Sequence, residues 1–207
     1  MGIIVKSPQE IDIMRKAGRI VAAILNVLKK RIEPGIITEE LDAITVQELS
    51  RHDATASFKG YRGFPASLCV SVNEELVHGI PGKRVLEEGD IVSLDFGAFF
   101  QGFHGDAAIT VGVGKISSEA EVLLEVTEGA LNAGIASARS GACLGDVSAA
   151  IQSFVESRGF SVVREYVGHG IGHEMHEAPQ IPNFGFPGQG PILQRGMTLA
   201  LEPMVNA

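Results

Sequence analysis

The sequence predicts an α+β fold of two related halves, in which helices cover one face of a curved, mostly antiparallel sheet. Segments with helical apolar spacing alternate with runs rich in β-branched and aromatic residues. A helix–break–helix segment also recurs, because Pro34–Leu41 returns as Ser140–Val147, 106 residues later. A strand pattern recurs as well, since Gly89–Asp95 returns as Gly196–Glu202, 107 residues later.

The first half is predicted to contain two helices followed by strands. Ser7-Pro8-Gln9-Glu10 has the pattern of a capped helix start, and Pro34-Gly35 is expected to end that helix. A second helix is predicted from Thr38 to about Arg51. Three further segments have strand-and-loop or strand character, the last two joined by a turn at Gln101-Gly102: Ser57 to Val77, Asp90 to Phe100, and His104 to Val113.

The second half repeats this order. Helices are predicted over Ser118 to Ser140 and Asp146 to Arg158, separated by Gly141. A strand is expected from Phe160 to Val167, and another from Met197 to Glu202. Between these two strands lies a stretch rich in glycine and proline, which predicts loops.

Size and charge narrow the class of protein. A chain of 207 residues with 45% hydrophobic and 20% charged residues is typical of one globular domain, which we expect to span residues 1–207. A net charge of −8 argues against a direct nucleic-acid site. Two cysteines are too few for a four-thiolate zinc site. The apolar run near the start, Ile20–Leu25, is far shorter than the roughly 20 residues of a membrane span. We therefore expect a soluble, cytoplasmic protein.

Asp95 and Asp106 flank the predicted hairpin and fall on the same face, either directly opposed or one diagonal step apart. Carboxylates this close on largely apolar strands share a proton, meet a cation or bind metal. A pair of metal ions roughly 3.5–4 Å apart fits this spacing. The alternative is a pair of solvated hairpin acids. His104 shares the face of Asp106 and is a further candidate.

The segment Gly168–His176 concentrates three histidines among glycines. Glycines on both sides of His169 predict a close backbone approach and a ring that projects from a strand end. Together with the two aspartates and Glu202, this predicts an oxygen-rich site with one nitrogen ligand. Such a mixed set suits manganese, iron, cobalt or zinc. His78, on a loop before a proline turn, forms a third cluster.

Taken together, the motifs resemble the type I methionine aminopeptidases over essentially the whole chain. The motifs are His78–Pro81, the Asp95–Asp106 hairpin, Gly168–Gly172 with His176–Pro179, and Glu202–Met204. The resemblance implies the pita-bread fold, whose two pseudo-symmetric halves agree with the internal repeat. It also implies two divalent metal ions and removal of the initiator methionine from nascent proteins by attack of a metal-activated water. The ribosome is a further candidate partner.

By the same resemblance, Asp95 is expected to chelate one metal ion and Asp106 to bridge both. His169 and Glu202 are expected to complete the other site, and Glu202 also to take part in proton transfer. His176 is expected to donate a hydrogen bond to the developing oxyanion. His78 is expected to lie near the scissile nitrogen. Three residues match the region of the methionine side-chain pocket: Tyr61, Phe64 and Cys69.

One departure from the family pattern concerns the ligand count. The family centre has a fifth ligand, a bridging glutamate on a strand after Glu202, and the sequence reaches only Ala207. The repeat agrees, because Asp106 follows Asp95 by 11 residues and the counterpart of Asp106 falls beyond the last residue. We therefore expect the domain to lack its C-terminal strand or strands.

Two alternatives remain open at this stage. One is a peptidase of the same fold that cleaves X-Pro bonds. The other is a binding module of this fold without catalytic activity, as a result of the expected truncation.

Overall fold

The computed structural model describes residues 2–207, which divide into two compact units. The first unit comprises Gln9–Ala120 and His173–Met175. The second comprises residues 2–8 together with Glu121–Gly172 and His176–Ala207. Among the described helices, none combines the length and the apolar character needed to cross a membrane.

The first unit contains two long helices and a four-stranded antiparallel sheet. Its elements, in order, are α1 (Pro8–Lys29), α2 (Thr38–Ser50), β1 (Thr55–Ala56), a 3₁₀ turn (Tyr61–Gly63), β2 (Cys69–Val72), β3 (Ile91–Phe100) and β4 (Phe103–Gly112). Strand β3 is central, with β4 along one edge and both β1 and β2 along the other.

Alternation along β3 positions the core of this unit. The even-numbered residues from Val92 to Ala98 are buried, whereas Ile91, Ser93 and Asp95 on the other face are only half-buried. The buried face packs against apolar stripes of α1 and α2, whose side chains recur at helical spacing. The largest fully buried members of this core are Ile24, Leu28, Leu41, Leu68, Leu86, Leu94 and Phe96. The polar side chains of β3 therefore occupy the face that the helices do not cover.

The second unit repeats helices followed by antiparallel strands. Its elements are α3 (Ser118–Ser137), α4 (Leu144–Glu156), β5 (Ser161–Val162), β6 (Val167–Gly170), β7 (Glu177–Pro182), β8 (Leu199–Ala200) and β9 (Val205–Asn206). Strand β6 lies between β7 and β8, and β5 pairs with β9. The core is formed mainly by α3, α4 and the strands, and includes Val126, Ala130, Val147, Ile151, Val155, Val162 and Ile181.

The internal repeat is confirmed in the hydrogen bonding of each unit. An isolated bridge joins Ile37 to Val85 in the first unit, and Cys143 to Ile192 in the second. Each bridge precedes a helix directly, since α2 begins at Thr38 and α4 at Leu144. Four glycines at equivalent repeat positions have left-handed backbone: Gly35, Gly89, Gly141 and Gly196. The offset found in the sequence therefore reflects one supersecondary plan used twice.

Two predicted strands are wrong in extent. The strand expected over 160–167 is interrupted, because Arg164, Glu165 and Tyr166 are exposed and separate β5 from β6. The strand expected over 197–202 is reduced to the two residues of β8. The first helix also ends earlier than Pro34, since Arg31 N–H bonds to Leu28 O at 2.8 Å in a tighter final turn.

Candidate metal centre

The β3–β4 hairpin places Asp95 and Asp106 on one face. In the strand register Asp95 is opposite Ala108, and Asp106 is opposite Gly97. The two aspartates are therefore diagonal neighbours, at a separation typically of about 7–8 Å. Of the two arrangements that the sequence left open, the diagonal one is confirmed.

The hairpin turn sets this register. Gln101 and Gly102 both have positive φ, 48° and 88°, as a two-residue loop of the primed type requires. Phe100 and Phe103 close the ladder directly beside it. A slip of one residue would turn Asp106 onto the face that packs against the helices. The Gln-Gly turn predicted from the sequence therefore determines which face carries the carboxylate.

Cys69 lies beside the carboxylates, opposite Asp95 in the register between β2 and β3. Burial, and then the negative charges of Asp95 and Asp106, raise the pKa of its thiol far above the usual range. The thiol is therefore neutral, and Cys69 contributes a small polarisable surface to this face of the sheet.

His104, the further candidate on β4, has a partner of its own. Its Nδ1 lies 2.8 Å from Ser57 Oγ, and its ring centroid is 4.7 Å from that of Phe99. Ser57 fits there because Gly97 has no side chain, since a Cβ at Gly97 would collide with Ser57 and Phe58. These two contacts orient and pack the ring, and a catalytic role for this residue stays a prediction.

His169 lies within β6, in the second unit, between two close neighbouring strands. A Cβ on Gly168 would collide with the carbonyl of Ala200, and one on Gly170 with the carbonyl of Ala178. The close approach that the flanking glycines predicted is therefore confirmed. Its Nδ1 lies 2.8 Å from Gly170 O, and because a carbonyl only accepts, Nδ1 carries the proton. In the neutral ring Nε2 then carries the lone pair, which is the donor that a metal ion needs.

Glu202 faces that lone pair. It lies two residues past Ala200, which is the register partner of His169, so it is the diagonal neighbour on the same face. Its Oε1 is 3.1 Å from His169 Nε2, and its backbone carbonyl is fixed by the buried side chain of Asn183 at 2.9 Å. Among the described residues, this buried Oε1 has no hydrogen-bond partner.

The His169–Glu202 pair fits a cation. A carboxylate oxygen and the unprotonated nitrogen of a neutral imidazole are both acceptors, so their close approach is stable only with a positive charge between or beside them. An imidazole nitrogen and a carboxylate oxygen are also the mixed donors that manganese, iron, cobalt and zinc accept. The residues of this unit therefore suit the metal ions that the sequence predicted.

The remaining histidines of the Gly-rich segment have different surroundings. The ring of His176 lies 4.1 Å from that of His169, at an interplanar angle of 36°. His173 belongs to the other unit, where its Nδ1 bonds to Gly102 O at 2.9 Å and its ring stacks on Phe103. Within the second unit, the structure thus brings His176 beside His169.

The other predicted site residues lie on loops of the first unit. His78 is exposed with φ 62°, and the next residue, Gly79, bonds through its N–H to Ser71 Oγ at 3.0 Å. Tyr61 lies in the 3₁₀ turn, and Phe64 follows it, packed edge-on against Phe58 with centroids 6.5 Å apart.

A buried ion pair in the second unit joins the side chains of Lys6 and Glu177. No sequence pattern predicted this pair. The only available signal was a lysine directly after the apolar run Ile3-Ile4-Val5. Nothing in the local pattern identifies Glu177 as the partner of this lysine.

Comparison with known proteins assigns the family. Residues 12–207 match the model of metallopeptidase family M24. The chain belongs to metallopeptidase family M24. Membership in a family of metallopeptidases implies bound metal ions, in agreement with the donors that His169 and Glu202 present.

Comparison with individual proteins shows which peptidases of this family the chain resembles. The chain is 58% identical to methionine aminopeptidase 1 of Bacillus subtilis over 205 residues, covering 99% of this chain and 83% of that protein. The crystal structure of methionine aminopeptidase from Thermotoga maritima matches with a TM-score of 0.97 and 49% identity, covering 99% of this chain and 82% of that one. Xaa-Pro dipeptidase from Bacillus anthracis is more distant, with a TM-score of 0.82, 26% identity, and coverage of 96% and 54%. These matches confirm the α+β pita-bread fold.

Proposed function

We propose that this chain removes the N-terminal methionine from nascent proteins as a metal-dependent aminopeptidase. The observation that carries the proposal is the buried approach of His169 Nε2 and Glu202 Oε1, which suits a cation, in a chain of this family. The four motifs of the sequence that resemble type I methionine aminopeptidases supply the remaining residues.

Two divalent ions are proposed to be held by Asp95, Asp106, His169 and Glu202, with Asp106 shared between them. Manganese, iron, cobalt and zinc all suit carboxylate and imidazole donors. When bound, such ions polarise a peptide carbonyl and lower the pKa of a water molecule to about 7. The aspartates supply negative charge on one sheet face, which offsets the charge of the ions.

The chain's own side chains then position the substrate and move protons. The carboxylate of Glu202 is proposed to accept a proton from the attacking water and pass it to the leaving amine. His176 donates a hydrogen bond to the carbonyl oxygen as negative charge develops there. His78, exposed on its loop, is proposed to donate to or accept from the scissile nitrogen.

The methionine side chain is proposed to lie against Tyr61, Phe64 and Cys69. A flexible thioether fills irregular apolar space and makes favourable contacts with aromatic ring edges. The neutral thiol of Cys69 adds a polarisable surface without a charge that the apolar side chain would have to desolvate.

Peptide selectivity separates this function from X-Pro cleavage, which occurs on the same fold. We expect the metal-loaded protein to release methionine from Met-Gly-X at least about tenfold faster than it hydrolyses an X-Pro peptide, because the pocket binds the thioether chain. Initial rates would be measured by amino-acid release, with Ala-Gly-X as the matched peptide without the side chain. Preferential X-Pro cleavage would establish the alternative peptidase. Metal binding without hydrolysis of any of the three peptides would instead indicate a binding module.

The setting of the reaction is also a proposal. We propose that residues 1–207 act as one catalytic domain in the cytoplasm, where nascent chains present their N-terminal methionine. Association with the ribosome follows from the same proposal and is tested by co-sedimentation.

A further inference from the structure

A buried ion pair anchors the residue that directly follows His176. The ammonium of Lys6 contacts the Glu177 carboxylate, and the two side chains are only 2% and 3% exposed. The two residues are 171 positions apart in the chain. Charged side chains with so little exposure are stable only when they are paired, so each holds the other in place.

The lysine is fixed from its backbone as well as from its ammonium. Lys6 N–H bonds to Gly196 O at 2.8 Å, and Lys6 Nζ also reaches Ile4 O at 3.4 Å. Gly196 lies so close that a Cβ there would collide with Lys6 O. Lys6 is therefore held both at its backbone and at its ammonium group.

The pair is also enclosed from the side of the Gly-rich segment. A Cβ on Gly172 would collide with the end of the Lys6 side chain and with a carboxylate oxygen of Glu177. The glycine lets the backbone lie directly over the two charges and shield them from water. The lysine can therefore neither rotate away nor be replaced by solvent without moving this backbone.

Glu177 connects the ion pair to the histidine. It is the first residue of β7 and is opposite Gly170 in the register with β6, at a bulge that follows His169. The His176 ring lies on the His169 ring, 4.1 Å away. The position of the Glu177 backbone therefore fixes where the His176 side chain begins.

We infer that Lys6 is a positioning residue for the reaction, which holds Glu177 in the interior and so holds His176 against His169. Without the ammonium, a buried carboxylate is strongly unfavourable and moves toward water. That movement shifts the adjoining His176 backbone and misplaces its hydrogen-bond donor. The inference rests on the proposed function, in which His176 stabilises the oxyanion.

The first test is the variant Lys6→Met, which keeps the length of the side chain and removes the charge. We expect kcat for Met-Gly-X to fall about ten- to a hundredfold, because a shift of the order of 1 Å in a catalytic group has that effect. KM should stay within about twofold, since the proposed methionine pocket lies on residues 61–69. The matched control is Arg15→Met, which removes the cation of an exposed pair with Asp12 and should leave kcat unchanged.

The double variant Lys6→Met with Glu177→Met tests whether the unpaired carboxylate of Glu177 causes the loss of kcat. Apolar residues of similar volume can replace a buried ion pair without loss of stability. The melting temperature of the double variant should therefore be close to that of the wild-type protein. We expect kcat to recover toward the wild-type value, because no buried carboxylate is left to move toward water and displace His176. A kcat as low as that of Lys6→Met would overturn the inference, as would a wild-type kcat in Lys6→Met.

A measurement on the metal-free protein keeps this inference distinct from the proposed function. Nuclear Overhauser effects between the imidazole protons of His169 and His176 are expected in the wild-type protein and should disappear in Lys6→Met. Their persistence in Lys6→Met would overturn the positioning role, whatever the enzyme acts on. If the wild-type protein fails to release methionine while the Overhauser effects disappear in Lys6→Met, the proposed substrate is refuted and the positioning role is supported.

Discussion

Replacement of Asp106 by asparagine is expected to lower kcat/KM for methionine release by more than about 100-fold. Loss of a residue that only supports a metal ligand typically lowers affinity or activity by about 10- to 100-fold, so loss of a shared ligand should exceed that range. The amide keeps the shape of the side chain and removes its charge. The rate would be followed by methionine release from Met-Gly-X, and metal affinity by calorimetric titration.

The control for Asp106→Asn is Asp12→Asn, which makes the same change at an exposed position of α1. Asp12 forms only a surface pair with Arg15, and such pairs contribute little to stability. Its kcat/KM should equal that of the wild-type protein. Wild-type turnover and metal affinity in Asp106→Asn would contradict the proposed bridging role.

Replacement of His176 by phenylalanine is expected to lower kcat by about 10²- to 10³-fold, the effect of removing one oxyanion donor. The aromatic ring keeps the contact with His169, 4.1 Å between centroids, so that packing is preserved. KM should change little, because the hydrogen bond forms only as negative charge develops on the carbonyl oxygen. Steady-state kinetics with Met-Gly-X would separate the two constants.

A second substitution at this position tests whether loss of the hydrogen-bond donor causes the decrease in kcat. His176→Asn retains a hydrogen-bond donor, and we expect it to recover part of the lost kcat. If both variants raise KM and leave kcat at the wild-type value, His176 binds the substrate without stabilising the transition state.

The sequence predicted the parts of the site that depend on local patterns. The Gln101-Gly102 turn determined the hairpin, and period-2 alternation then placed Asp95 and Asp106 on one face. The glycines beside His169 anticipated the close strands on both sides of β6. These features could be predicted because turn chemistry and strand periodicity act within a few residues.

Other parts of the site depend on contacts that no local pattern encodes. The Lys6–Glu177 pair joins two segments that are 171 positions apart in the chain. The different surroundings of His173 and His176 could not be predicted from the sequence either. Both residues lie in one loop, and each ring contacts a different element. Long-range packing decides such features, and the local sequence pattern does not identify which residues meet.

The extent of the short strands could not be predicted from the sequence either. Val163 N–H bonds to Met204 O at 2.9 Å, and the chain then leaves the sheet through three exposed residues. The β-branched and aromatic residues of this segment favoured a continuous strand. The position of the neighbouring strand, and not propensity, determined where pairing stops.

The rate of methionine release from Met-Gly-X before and after removal of metal tests the central claim most directly. The protein would be depleted with a chelator and then supplied separately with Mn²⁺, Fe²⁺, Co²⁺ and Zn²⁺. The rate should fall to background on depletion and return with at least one ion in the wild-type protein, but not in Asp106→Asn. An undiminished rate of methionine release in fully depleted protein would contradict a metal-dependent aminopeptidase.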